Sequence, residues 1–166
     1  MPIGNNTISK KQVIVPAFAA ALVLMMTPTM AFAQNAHFVG NPSCDVISSG
    51  ALKCSGKIAG LGNTEEVTAF LQADVTATFA CDNPGPGVHI PPGQPTDSHP
   101  IQGDQTTLPV RNGQTTFTLT TDAPQPSGDF SCPNDRWKVV LQDVEYTNVA
   151  VVVDGEELEI PGTFSN

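Results

Sequence analysis

The chain is expected to be all-β: an antiparallel β-sandwich of seven or eight strands behind an N-terminal signal helix. Three observations carry that expectation. From Glu66 to Cys81 the apolar residues Val67, Ala69, Leu71, Ala73, Val75, Ala77, Phe79 and Cys81 hold every second position, the period of a half-buried strand. Asn112-Gly113 and Asp154-Gly155 each separate two β-prone runs and suit the positive φ that a tight hairpin turn demands. After residue 33 no stretch repeats apolar residues at convincing helical spacing, while fifteen prolines and fourteen glycines punctuate the 166 residues.

The first segment reads as an export signal. Lys10 and Lys11 precede an uncharged run from Val13 to Ala33, most apolar from Val13 to Met26. Pro28 interrupts it, and Ala31-Phe32-Ala33 offers the small-x-small pattern that a signal peptidase accommodates. Residues 1–33 are therefore expected to be a signal peptide cleaved after Ala33, and 34–166 a secreted domain of 133 residues, the 166 less those 33. About twenty apolar residues could also span a bilayer. The prolines and the missing positive stop speak against an anchor, so no stable membrane insertion is expected after cleavage. No Leu-x-x-Cys lipobox precedes Cys44. The expected location is secreted or cell-surface.

All sixteen Asp and Glu follow the leader, against five bases, Lys53, Lys57, Arg111, Arg136 and Lys138. Such a surface repels phosphate backbones and anionic headgroups, whose binding rests on Lys and Arg, and this excludes nucleic acid as the default partner. In an exported chain the even set Cys44, Cys54, Cys81 and Cys132 is expected to form two disulfides. Of the three connectivities, Cys44–Cys54 with Cys81–Cys132 is preferred: the first closes a short loop, and the second ties a strand end to the segment before Trp137. A zinc site would need a Cys-x-x-Cys knuckle or grouped histidines, and neither occurs.

The elements follow in order. Leu52, Cys54 and Ile58 alternate, and Gly60-Leu61-Gly62-Asn63 supplies a turn, so this run and Glu66–Cys81 are expected to pair as an antiparallel hairpin. Asp82 to Gln105 carries six prolines without periodicity and reads as a long excursion, of the kind that is usually functional or mobile. Leu108–Arg111 and Gln114–Thr121 flank Asn112-Gly113 as a second hairpin. After the polar loop Asp122–Asp135, Trp137, Val139 and Leu141 share a face, which gives Trp137 a core role. The phase then changes at Val144 and Tyr146, where a bulge or bend is expected. Val149–Val153 and Glu156–Ile160 form a terminal hairpin. The result is immunoglobulin-like in architecture, with a closed barrel as the alternative. A true antibody-like domain is disfavoured because its tryptophan lies between the bridging cysteines, whereas Trp137 follows Cys132.

Concentrated chemistry is confined to the excursion, with Asp82, His89, Asp97, His99 and Asp104. His89, Asp97, His99 and Asp104 are the candidate metal ligands, since imidazole and carboxylate suit zinc or copper. Nothing in the sequence makes them converge, and a solvated loop is the simpler reading, so no metal or cofactor is expected. Trp137 and Tyr146 could stack on sugars, but a core tryptophan weakens that reading. Glu65-Glu66 and Glu156-Glu157-Glu159 read as a solvated face and lack the ligand spacing of a calcium loop. No Gly-x-Ser-x-Gly, His-Glu-x-x-His or phosphate-cradling glycine loop is present, and a catalytic residue is not expected.

The string Cys54-Ser55-Gly56-Lys57-Ile58-Ala59-Gly60-Leu61-Gly62-Asn63 resembles a group of small exported bacterial and fungal β-rich proteins of unknown function. The likeness extends to Asn83-Pro84-Gly85, Pro92-Gly93-Gln94 and Cys132-Pro133-Asn134, covering about residues 37–164. Pro86 stands where such relatives carry glycine. The resemblance implies an exported protein and brings no activity, cofactor or catalytic residue.

The expected function is that of a non-enzymatic extracellular or cell-surface binding or structural module, its partner an extracellular protein or surface component and its recognition surface the Asp82–Asp104 loop. A secreted metal-binding protein or hydrolase using His89 and His99 is one alternative. Another is a self-associating subunit, in which a free strand at Ala36–Gly40 adds to a neighbour's sheet edge.

Overall fold

The structure, a computed structural model, describes residues 35–83, 94–95 and 98–166. The expected leader, residues 1–33, lies outside the described residues, as do His89 and Asp97. Among the described residues eleven strands occur, in chain order: β1 (His37–Phe38), β2 (Ser43–Val46), β3 (Leu52–Ala59), β4 (Glu66–Asp82), β5 (Gln94–Pro95), β6 (His99–Gln102), β7 (Thr106–Pro109), β8 (Gln114–Thr120), β9 (Lys138–Val153), β10 (Glu156–Ile160) and β11 (Phe164–Ser165). No described helix is long and apolar enough to cross a membrane.

Two antiparallel sheets form. In the first, β3 pairs on one side with β8 and on the other with β1 and then β2, which run as one interrupted strand. In the second, β4 and β9 pair at the centre; β10 and β11 lie along the free side of β9, and β5, β6 and β7 along that of β4. The expected count of seven or eight strands falls short because single edge runs are broken into pieces. The core lies between the sheets, where Leu52, Ile58, Leu71, Val75, Val144, Tyr146, Val149, Val151 and Val153 are fully buried.

β4 follows the period-two pattern closely, with Val67 to Phe79 buried at odd positions and the even ones outward. Its partner differs from expectation. β3 does not pair with β4; residues 60–65 cross from one sheet to the other, and Leu61 is buried on the way, its N–H donating to the Gly113 carbonyl at 3.1 Å. The reason is length. β4 has 17 residues and β3 only 8, so that hairpin would leave half of one edge of β4 without partners for its backbone groups. The 16-residue β9 pairs with β4 from Ala69 to Asp82.

Asn112 and Gly113 have φ of 53° and 70°, as a type I′ turn requires. The hairpin they were expected to head is only one pair long, Arg111 with Gln114. Beyond it β7 joins β4 and β8 joins β3, so the turn links the sheets instead of extending one. The terminal hairpin is as expected, with Asp154 and Gly155 at positive φ and Glu156–Ile160 in register with Val149–Val153. The long excursion is partly strand, since β5 and β6 lie back along β4. Pro95 and Pro100 are compatible with this because an outermost strand needs only alternate N–H groups for pairing.

The bulge expected near Val144 is present: Thr78 faces Asp143 and Phe79 faces Leu141, which leaves Gln142 as the extra residue. Trp137 precedes β9 and is half-buried outside the core, with Val139 exposed. The shared face predicted for Trp137, Val139 and Leu141 runs past the end of the apolar layer, so only Leu141 packs against it. The Ala36–Gly40 segment is not free; β1 pairs with Ala59 and Ile58, and the Val39 N–H reaches the Lys57 carbonyl at 2.8 Å. The expected detached strand is therefore the edge of the first sheet.

Both disulfides have the expected connectivity. Cys44 and Cys54 are registered partners across β2 and β3, and Cys81 at the end of β4 joins Cys132. A polar contact crosses the core. The hydroxyl of fully buried Tyr146 on β9 donates to the Gly50 carbonyl at 2.7 Å, in the turn between β2 and β3. Beside it the Thr121 hydroxyl accepts the Leu52 N–H at 3.0 Å. Burial pushes the Tyr146 phenol above its ordinary 10.0, and hydrogen bonds with Thr121 and the Leu52 backbone partly offset this.

Tyr146 thereby couples stability to pH at the alkaline end. The unfolded phenol ionises near pH 10 while the folded one keeps its proton higher, so the full contribution holds below about pH 10 and is lost as pH rises through the folded value, at up to about 1.4 kcal/mol per unit. Tyr146 is the single tyrosine, so ultraviolet phenolate absorbance reports on it alone. Ionisation is expected to coincide with unfolding, followed by circular dichroism. Tyr146→Phe should cost about 1–3 kcal/mol at neutral pH, because the Gly50 carbonyl loses its partner, and should remove that alkaline slope.

Candidate functional site

Along β9 the core-cluster positions are Val144 and Tyr146, then Val149, Val151 and Val153, and Ala150 is buried as well. The change from even to odd is made by a second bulge. Gln72 faces Ala150 and Asp74 faces Thr147, so Ala73 alone opposes Asn148 and Val149. Asn148 takes a φ of 49°, a left-handed conformation that asparagine tolerates better than most side chains. Its amide Nδ2 donates to Asp74 Oδ2 at 2.8 Å, which fixes both side chains on the outer face of the second sheet.

A groove of about 540 Å³ opens there, lined by Gln72 and Asp74 of β4, Pro100, Ile101 and Gln102 of β6, Asn148 of β9 and Glu157 of β10. Each wall has a sequence cause. Even positions of β4 face outward, Gln72 stands directly opposite Gln102, and Asp74 opposite Pro100. Glu157 faces outward on the terminal hairpin, opposite Val152. A smaller adjoining hollow of about 240 Å³ shares Asn148 and Glu157 and adds Glu159, Pro161 and Gly162.

Of the sequence-predicted metal candidates, the two that are described, His99 and Asp104, do not line the groove. His99 is half-buried on β6 opposite Val75, on the strand's core side and away from the groove. Asp104 is exposed just beyond β6. Among the described residues no three His, Cys, Asp or Glu side chains are grouped as metal ligands. Tyr146 is buried and Trp137 half-buried, so Tyr146 cannot serve as a stacking platform. Glu65 and Glu66 lie at the exposed start of β4, and Glu157 and Glu159 face solvent from β10. The groove was missed because its residues are distant in sequence. One signal was available: the apolar phase slips between Tyr146 and Val149, across Thr147-Asn148.

Fold and groove together define a disulfide-stapled antiparallel β-sandwich with a polar cleft on one outer face. Comparison with protein-family models, curated proteins and solved structures found no match.

Proposed function

We propose that the chain is a secreted or cell-surface binding module without catalytic activity, its recognition surface the groove together with the proline-rich excursion that borders it. The observation that carries this is the composition of one wall: Pro100, Ile101 and Gln102 belong to the excursion and lie along the edge of β4. A variable loop seated on a rigid sheet is a common arrangement for recognition, because the loop changes without unfolding the frame. Two disulfides fit an oxidising compartment, where such bonds persist.

The test uses the protein made with its leader in an exporting host and recovered from outside the cell. Labelled protein is expected to bind the host's surface fraction saturably, and Asn148→Ala with Gln102→Ala should reduce that binding. Absence of saturable binding, together with turnover on a panel of hydrolase substrates, would contradict the reading.

A further inference from the structure

The groove offers hydrogen-bonding groups of both kinds. Gln72, Gln102 and Asn148 carry amides, which donate and accept, while Asp74 and Glu157 carry carboxylates, which accept when ionised. Pro100 adds an apolar surface, whereas the Ile101 side chain lies on the core side opposite Ala73. Phe70 is half-buried on the same outward row of β4 as Gln72, two residues before it. The Asn148 amide is already oriented by the bulge and by its bond to Asp74, so little ordering remains to be done on binding.

Ligand classes separate on this inventory. A cation would use acceptors alone and leave the amide N–H groups of Gln72 and Gln102 without a partner on the ligand. An anion would meet two carboxylates. An apolar molecule would cover all five polar side chains and desolvate them without replacement. A hydroxyl both donates and accepts, so a ring bearing several of them satisfies amides and carboxylates together while its C–H face lies on Pro100. The volume, about 540 Å³, falls in the usual range of small-molecule sites, about 300–1,000 Å³.

We propose that the groove formed by Gln72, Asp74, Gln102, Asn148 and Glu157 binds a neutral oligosaccharide. This rests on the reading of the chain as an extracellular binding module and names its ligand class. The site needs no exposed tryptophan or tyrosine; the amides and carboxylates give orientation, and Pro100 gives apolar contact area.

The test is an array of neutral oligosaccharides probed with the exported, oxidised protein, followed by calorimetric titration of the strongest ligand. Binding is expected to persist at about 0.5 M salt, where attraction between exposed charges is largely screened. Gln72→Ala with Gln102→Ala should weaken it about tenfold or more with little change in melting temperature, since both lie at the surface. Glu157→Gln should weaken it less than Glu157→Ala, because the amide keeps an acceptor oxygen. Failure to bind any neutral oligosaccharide, or binding indifferent to the double glutamine change, would overturn the proposal. Binding of oligolysine alone, lost with salt, would overturn it in favour of a basic partner and leave the binding-module reading intact. Cleavage of an arrayed sugar would overturn that reading itself.

Discussion

Replacing Cys81 and Cys132 together by alanine is expected to destabilise the protein by about 4 kcal/mol, on the loop-closure entropy of a bridge of this span. The two cysteines are 51 residues apart in sequence. Cys81 ends β4, and Cys132 sits in the long connection between β8 and β9, where Phe130 is the one partly buried apolar side chain that packs on the core, its ring 6.3 Å from that of Phe79. Without the bridge that connection and the root of the excursion are both released. Urea titration checks this: at a slope of about 1–3 kcal/mol per molar, the midpoint should fall by more than about 1 M. The Cys44–Cys54 bridge spans 10 residues between strands already paired and is worth about 2.8 kcal/mol by the same reasoning, so its removal should shift the midpoint less.

Gly103→Ala should cost about 3–5 kcal/mol, an effect comparable with loss of the longer disulfide. Gly103 sits where the edge of the second sheet touches the end of β8 in the first. Its N–H donates to the Leu71 carbonyl at 2.9 Å, and the Asp122 N–H donates to the Gln102 carbonyl at 3.1 Å. A Cβ at this position would overlap the backbone carbonyl of Thr120, and backbone cannot rotate aside as a side chain can. Alanine therefore prises β6 from β8 and breaks those two bonds, at about 1–3 kcal/mol for each group left unpartnered. Gln102 precedes Gly103, so the groove wall moves as well. Gly128→Ala, where a Cβ meets nothing within 4 Å, is the control and should stay within about 0.5 kcal/mol. Thermal melts of the two variants decide the point.

The two layers were legible in the sequence because burial writes a period of two into each long strand, and β4 shows it without interruption. The turns at Asn112-Gly113 and Asp154-Gly155 were legible because positive φ restricts residue choice. Partner choice was not. A turn signal such as Gly60–Asn63 or Asn112-Gly113 fixes a reversal of direction, but not whether the next strand stays in the same sheet; that is decided by which long edge remains to be satisfied, a property of the whole chain. Trp137 misled for a related reason, since alternation says which side a residue faces and not where the apolar layer ends. The groove depends on a bulge that brings residues 72, 102, 148 and 157 together, and only its phase slip is visible in sequence.

The proposed function rests on export followed by oxidation. Mass spectrometry of unreduced peptides from protein recovered outside an exporting host tests that directly. The account predicts a chain beginning at Gln34 with Cys44 linked to Cys54 and Cys81 linked to Cys132; alkylatable thiols at these positions, or peptides retaining residues 1–33, would contradict it.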